Sequence, residues 1–294
     1  MNIARIVCPV DFSEYSGRAY DYAYSLAKHY GAKLLVEHVV QPLQAAYPYY
    51  AFPEATLQDT WSQLSTDAEK GLQELVKAHT RNGLQPECVI RQGFPWESIL
   101  SFAEERSADL IVMGTHGRRG LDRLTMGSVT ERVLRKAHCP VLAVRKPAHD
   151  FVEPDSTSDC VHLRKILLCT DFSDHAARAL SYAFSLAMEY NAELTLLHVL
   201  EDSDSEKVLQ DATAKAVKEL EKLVPADIPN WCTVKSLVRT GKPYQEIVQL
   251  AQEEQADLII VGVRGRNAVD LALFGSTTYR VIQLGSCPVL AVHI

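Results

Sequence analysis

The sequence predicts an α/β protein of two tandem domains. Each is a doubly wound five-stranded parallel sheet with helices on both faces, a Rossmann-like arrangement. Three observations carry this. Short apolar runs rich in β-branched residues alternate with patterns of helical period. The whole pattern occurs twice in one chain. In each copy a buried strand runs into a glycine-hinged loop and then a helix, as in Leu110-Ile111-Val112-Met113 followed by Gly114-Thr115-His116-Gly117 and Gly127-Ser128.

The elements of the first copy follow in order. Ile3 to Val10 is an apolar run and reads as strand one. Ser13 is a plausible N-cap, and Ala19, Ala23, Leu26, Ala27 and Tyr30 then share one helical face. Gly31 stands where a helix end wants a positive φ. Its counterpart Asn191 is the other residue type that tolerates that conformation. Leu34 to Val40 is strand two. Residues 41–60, with Tyr47, Tyr49, Tyr50, Phe52 and several prolines, read as a surface loop leading into a helix from about Leu57 to Thr80. Glu87 to Arg91 is strand three. A helix from Pro95 to Glu105 has proline in its first turn. Asp109 to Met113 is strand four, followed by the glycine loop and a helix reaching Ala137. Val141 to Val144 is strand five.

The repeat sets the domain boundaries. Asp11-Phe12-Ser13 returns as Asp171-Phe172-Ser173, and Tyr22, Tyr30, His38 and Val39 return as Tyr182, Tyr190, His198 and Val199, an offset of 160. From Gly93 and Gly241 onward the offset is 148, so the first copy carries twelve extra residues before that point. A gene duplication explains this most simply. The domains are expected at 1–146 and 164–294, with 147–163, which holds Pro147, Pro154, Ser156 and Ser158, as linker.

Bulk properties remove some classes. The 294 residues are 47% hydrophobic and 23% charged, ordinary for a globular protein. No apolar run approaches the roughly 18 residues needed to span a bilayer, and no leader pattern precedes Asp11. A cytoplasmic protein without a membrane partner is expected. The net charge of −7 argues against nucleic acid as the main partner. The seven cysteines are scattered without a C-x-x-C pair and read as buried or incidental thiols.

The chemistry points to an anion. Glycines allow a positive φ and a close backbone approach, loop N–H groups form an anion cradle, and the following helix start points its free N–H groups the same way. The candidates in the first copy are Gly114, Gly117, Gly127, Ser128 and Val129, with Met113 closing the strand. In the second they are Gly262, Gly265, Gly275, Ser276 and Thr277, with Val261 closing the strand. The competing reading is that the glycines only shape a tight turn. His116, Arg118, Arg264 and Arg266 could offset phosphate charge, or could be ordinary polar surface. Asp11 and Asp171 end their first strands, where a carboxylate can accept hydrogen bonds from ribose hydroxyls or an exocyclic amine. Alternatively, each serves the start of the next helix. Val39 and Val199 could offer main-chain contacts to a base edge. His38 and His198 read as buried strand histidines with a satisfied partner. The P-loop and the dinucleotide fingerprint are both missing. No G-x-S-x-G, H-E-x-x-H or clustered metal-ligand set is present. No catalytic residue is assigned.

These residues resemble the universal stress protein (UspA-like) family. The resemblance rests on Pro9-Val10-Asp11, His38-Val39, Gly114 to Gly117, Gly127-Ser128-Val129 and Cys139-Pro140-Val141-Leu142-Ala143-Val144. In the second copy it rests on Thr170-Asp171, His198-Val199, Gly262 to Gly265 and Gly275-Ser276-Thr277. The glycine pattern resembles the ATP-binding branch. The resemblance implies a tandem protein whose halves pair through their fifth strands, with ATP, or AMP or ADP, at the positions above and Mg²⁺ as a companion ion. It implies a stress-response sensor or regulator. The second copy departs from the pattern, with Cys169 in place of Pro9 and Thr277 in place of Val129. A slow ATPase in the same pockets, a nucleotide-free scaffold and a homodimer of the tandem chain stay open.

Overall fold

The computed structural model describes residues 2–43, 49–79, 83–117, 126–145, 150–152, 161–201, 206–226, 228, 231–263 and 276–293. The first half runs β1 (Arg5–Pro9), α1 (Glu14–Tyr30), β2 (Lys33–Val40), α2 (Glu54–His79), β3 (Glu87–Gln92), α3 (Pro95–Glu105), β4 (Leu110–Gly114), α4 (Ser128–Lys136) and β5 (Val141–Val144). The second repeats the order with β6 (Lys165–Cys169), α5 (Asp174–Tyr190), β7 (Glu193–Leu200), α6 (Glu206–Leu223), β8 (Val234–Thr240), α7 (Pro243–Glu253), β9 (Leu258–Gly262), α8 (Ser276–Leu284) and β10 (Val289–Val292).

The strands form one ten-stranded sheet in the order β3-β2-β1-β4-β5-β10-β9-β6-β7-β8. Within each half all neighbours are parallel. At the centre β5 and β10 meet antiparallel, Leu142 opposite Leu290. The strands are short apolar runs because both faces are covered. Successive residues therefore enter different cores. Ile6 and Leu34 belong to the cluster under α1 and α5, while Val7 and Leu35 belong to the cluster under α3, α4 and α7. Each cluster draws on both halves.

Local signals explain the helix limits. Ser13 caps α1, its hydroxyl accepting from Ser16 N at 3.2 Å, and Ser173 caps α5 in the same way. Gly31 and Asn191 close these helices at φ 63° and 49°. Helix α2 begins three residues before the expected Leu57, at Glu54, directly after Pro53. Its first turn is exposed, so the apolar period that marks a helix starts only later. Of the 41–60 segment, residues 44–48 lie outside the described residues.

Strand order reverses between β1 and β4, which pair through Ile6–Leu110 and Val7–Ile111. In a doubly wound sheet the crevice opens at that point, beyond the carboxyl ends of the strands.

Candidate functional site

The first-half switch point opens into a cavity of about 1100 Å³. Its walls include Pro9, Val10 and Asp11 from the end of β1, Val39 from β2, and Met113, Gly114, His116 and Gly117 from β4 and its loop. Gly127, Ser128 and Val129 come from the start of α4. All these sequence candidates therefore meet on one cavity. Arg118 lies outside the described residues.

The glycines work by close approach rather than by a left-handed backbone. None of Gly114, Gly117, Gly127 and Gly262 has a positive φ, contrary to the expectation. A Cβ on Gly114 would meet the Tyr15 backbone at 3.0 Å, and one on Gly262 would meet the His175 backbone at 2.6 Å. These two glycines let the first helix of each half pack on the strand end. Gly117 differs, because its Cβ would stand 2.5 Å from Asp11 Oδ2. Leaving it bare keeps room beside that carboxylate inside the cavity.

The loop is fastened at its ends. Gly127 N donates to Thr115 O at 2.8 Å, and Thr130 Oγ1 donates to Gly114 O at 2.9 Å. The N-cap of α4 is Gly127, which makes no side-chain cap hydrogen bond. The first-turn N–H groups have no intrahelical acceptor, and Ser128 and Val129 line the cavity. An anion there would meet oriented donors and the positive helix end. His116, expected as a loop cation, is buried, at 5% exposure, with Nδ1 2.9 Å from Thr115 Oγ1. Its ring centroid lies 5.0 Å from that of Tyr15.

Asp11 serves the start of the next helix. Its Oδ1 accepts from Ser13 N at 3.1 Å and Ser13 Oγ at 2.6 Å, fixing the turn into α1. Its Oδ2 stands beside Gly117 on the cavity wall. His38 is half-buried and donates from Nδ1 to Val10 O at 2.8 Å, and His198 does the same to Thr170 O at 2.9 Å.

Some wall residues were not foreseen. Phe12 holds φ 62° and stacks on His38 at 4.4 Å, and Phe172, at φ 61°, lies tilted against His198 at 4.4 Å. A left-handed backbone is costly for a bulky side chain, and only the repetition of Asp-Phe-Ser hinted at it. Lys70 and Gly71 show that α2 forms a further wall. Glu37 is a fully buried acid on β2. Ser98 Oγ donates to its Oε1 at 2.6 Å, and burial pushes its carboxyl up to about 7. The sequence signal was one acid inside an apolar strand where the second copy has Leu197.

In the second half, Thr170 is buried at the end of β6. Asp171 Oδ1 accepts from Ser173 N at 3.0 Å, as Asp11 does for Ser13. Val199, Val261 and Gly262 stand at the ends of β7 and β9, and Ser276 and Thr277 start α8. Arg264, Gly265, Arg266 and Gly275 lie outside the described residues. Among the described residues, no group of three or more His, Cys, Asp or Glu could hold a metal ion. No described helix is long and apolar enough to cross a membrane.

A duplicated, doubly wound α/β unit with a loop-and-helix cradle at its switch point defines the class of protein. The model of the universal stress protein family matches residues 2–145 and 162–293. The chain belongs to that family. Universal stress protein MJ0531 of Methanocaldococcus jannaschii is 37% identical over 144 residues, which is 49% of this chain and 82% of that protein. Universal stress protein Rv2005c of Mycobacterium tuberculosis is 27% identical over 269 residues, 88% of this chain and 87% of its own length. The crystal structure of a universal stress protein from Archaeoglobus fulgidus aligns over 98% of this chain and 96% of its own with a TM-score of 0.69 at 24% identity. That likeness shows the tandem fold.

Proposed function

We propose that this chain binds an adenine nucleotide, ATP or its products AMP and ADP, and acts in the cytoplasm as a stress-response sensor or regulator. The observation that carries the reading is the convergence of Asp11, Val39, Gly117 and the uncapped start of α4 on one cavity. In this reading the phosphates lie against the N–H groups of Gly117, Ser128 and Val129, and Arg118, next in sequence to Gly117, offsets their charge. Asp11 Oδ2 accepts from the ribose hydroxyls. The main chain at Val39 reads the base edge, two strands away from the phosphates. A Mg²⁺ ion would be held mainly by phosphate oxygens. The fit is physical: the cavity is large enough for a nucleotide, and a side chain at Gly117 would fill the cradle.

The second half carries the same function in this proposal, through Thr170, Asp171, Val199, Val261, Gly262, Arg264, Gly265, Gly275, Ser276 and Thr277. Cys169 and Thr277 replace Pro9 and Val129 beside it, so its affinity need not match that of the first half. The β5–β10 pairing lets the tandem chain do alone what two single-domain subunits would do as a pair. Domain limits of 1–146 and 164–294 around a 147–163 linker belong to the same proposal, as does any homodimer of the whole chain.

The test is direct. Nucleotide released by heat from the purified chain is identified by mass and counted per chain, and ATP binding is measured by calorimetry. Adenine nucleotide in the released fraction, or ATP uptake from which Gly117→Val removes the first-half site, supports the reading. A chain that carries none and takes up none refutes it.

A further inference from the structure

Glu37 lies on β2, two residues before Val39, so both side chains leave the same face of the strand. It lines the cavity together with Val39, Ile99 and Met113. Its side chain is fully buried. Oε1 is occupied: it accepts from Ser98 Oγ at 2.6 Å, and Arg91 Nε stands 3.8 Å from it. Oε2 is buried and has no hydrogen-bond partner among the described residues. An acceptor left in that condition loses its hydration without recompense.

The fold does not require an acid there. The matching residue in the second half is Leu197, 1% exposed and packed in the core cluster on that face. A leucine therefore satisfies the same place on an equivalent strand. The carboxylate of the first half needs another explanation, and Glu37 is one of the residues that line the crevice.

We propose that Glu37 is a specificity-determining residue of the first-half crevice: Oε2 accepts a hydrogen bond from the exocyclic amine of the bound base and selects a 6-aminopurine over a 6-oxopurine. The assignment rests on the reading that this crevice holds a nucleotide. The chemistry follows from the donor inventory. Asp11 and the glycine loop stand at the ribose and phosphate end, so the group opposite Glu37 belongs to the base. Adenine presents an N6 amine with two hydrogens, one for a strand carbonyl and one for a carboxylate. Hypoxanthine presents a carbonyl oxygen at that position, whose lone pairs face the carboxylate. The second half, with Leu197, has no acceptor side chain at that position and does not discriminate in this way.

The experiment titrates the full chain with ATP and, separately, with ITP by calorimetry at about pH 8, where the Glu37 carboxyl, raised to about 7, is ionised. Gly117→Val marks which binding class belongs to the first half. Wild type is expected to favour ATP there by about tenfold or more, the size of a hydrogen bond to a charged acceptor. Glu37→Leu introduces the residue that the second half already accommodates. It is expected to fold and to bring the ATP-to-ITP ratio near one by weakening ATP. Glu37→Gln, whose amide can donate as well as accept, is expected to flatten the ratio while keeping the shape. An unchanged ratio in a folded Glu37→Leu overturns the assignment. A wild-type chain that takes up neither nucleotide instead overturns the nucleotide reading, and the assignment falls with it.

Discussion

A methyl group on Gly117 would touch only the movable end of Asp11, whereas one on Gly114 would press on the rigid backbone at Tyr15. The two glycines of one motif therefore divide between function and stability. Gly114→Ala is expected to destabilise the chain by about 1–3 kcal/mol, the usual cost of overpacking, measured by urea unfolding. Gly117→Val is expected to leave the unfolding midpoint within a few degrees and to remove nucleotide uptake by the first half. Near-wild-type stability for Gly114→Ala would disprove the packing role. Glu37 supplies a second residue-scale prediction. Its folded carboxyl sits at about 7, above the unfolded value of 4.5. The folded chain thus keeps a proton that the unfolded chain has released. The associated stability is whole below pH 4.5 and is lost as pH rises through 7. Such a shift corresponds to about 3 kcal/mol. The groups around it are Arg91 on β3 and Ser98 and Glu105 on α3. Urea unfolding of wild type and Glu37→Leu from pH 4.5 to 8 is expected to show wild type losing stability relative to the variant; parallel curves would count against it.

At the scale of the element, the two kinds of helix start show different assignments. α1 and α5 are capped by their own serines, while α4 begins on a glycine that offers no side-chain acceptor. Ser13→Ala and Ser173→Ala are each expected to cost about 1 kcal/mol, as lost caps do. Chemical denaturation checks this, and each variant adds a loss to its Asp turn, because Asp11 Oδ1 and Asp171 Oδ1 accept from the same hydroxyls. These starts were legible in the sequence, because Ser13, Gly31 and their counterparts act through local chemistry. Alternation of buried strands with periodic helices and the 160-residue offset made the fold legible too. What was hidden depends on packing that no local rule encodes. The first turn of α2 faces solvent and carries no apolar period. Phe12 takes a left-handed backbone with its ring stacked on His38, which a sequence of Asp-Phe-Ser does not announce. Glu37 reads as noise in an apolar strand until the cavity shows where it sits.

The whole molecule is one sheet, and its two halves share both cores. Leu142 and Leu290 face each other across the antiparallel join, and both belong to a cluster that also contains Ile6 and Ile166. Beyond the sheet, Tyr30 Oη donates to Glu189 Oε2 at 3.1 Å, so α1 touches α5 across the same axis. Tyr22 Oη donates to Asp150 Oδ1 at 2.7 Å, which ties residues beyond β5 back to α1. Neither half can expose its fifth strand without uncovering the apolar surface and ladder groups of the other. Heating is therefore expected to give one cooperative calorimetric transition for the full chain rather than two. Leu290→Asp places a carboxylate in the buried join. Its burial should cost several kcal/mol, and the cheapest relief is to part β10 from β5 and let water in. The variant is expected to melt at a lower temperature and in two resolved steps, one for each half, with each parallel half-sheet keeping its own helices. A single transition at the wild-type temperature would mean that the join does not couple the halves.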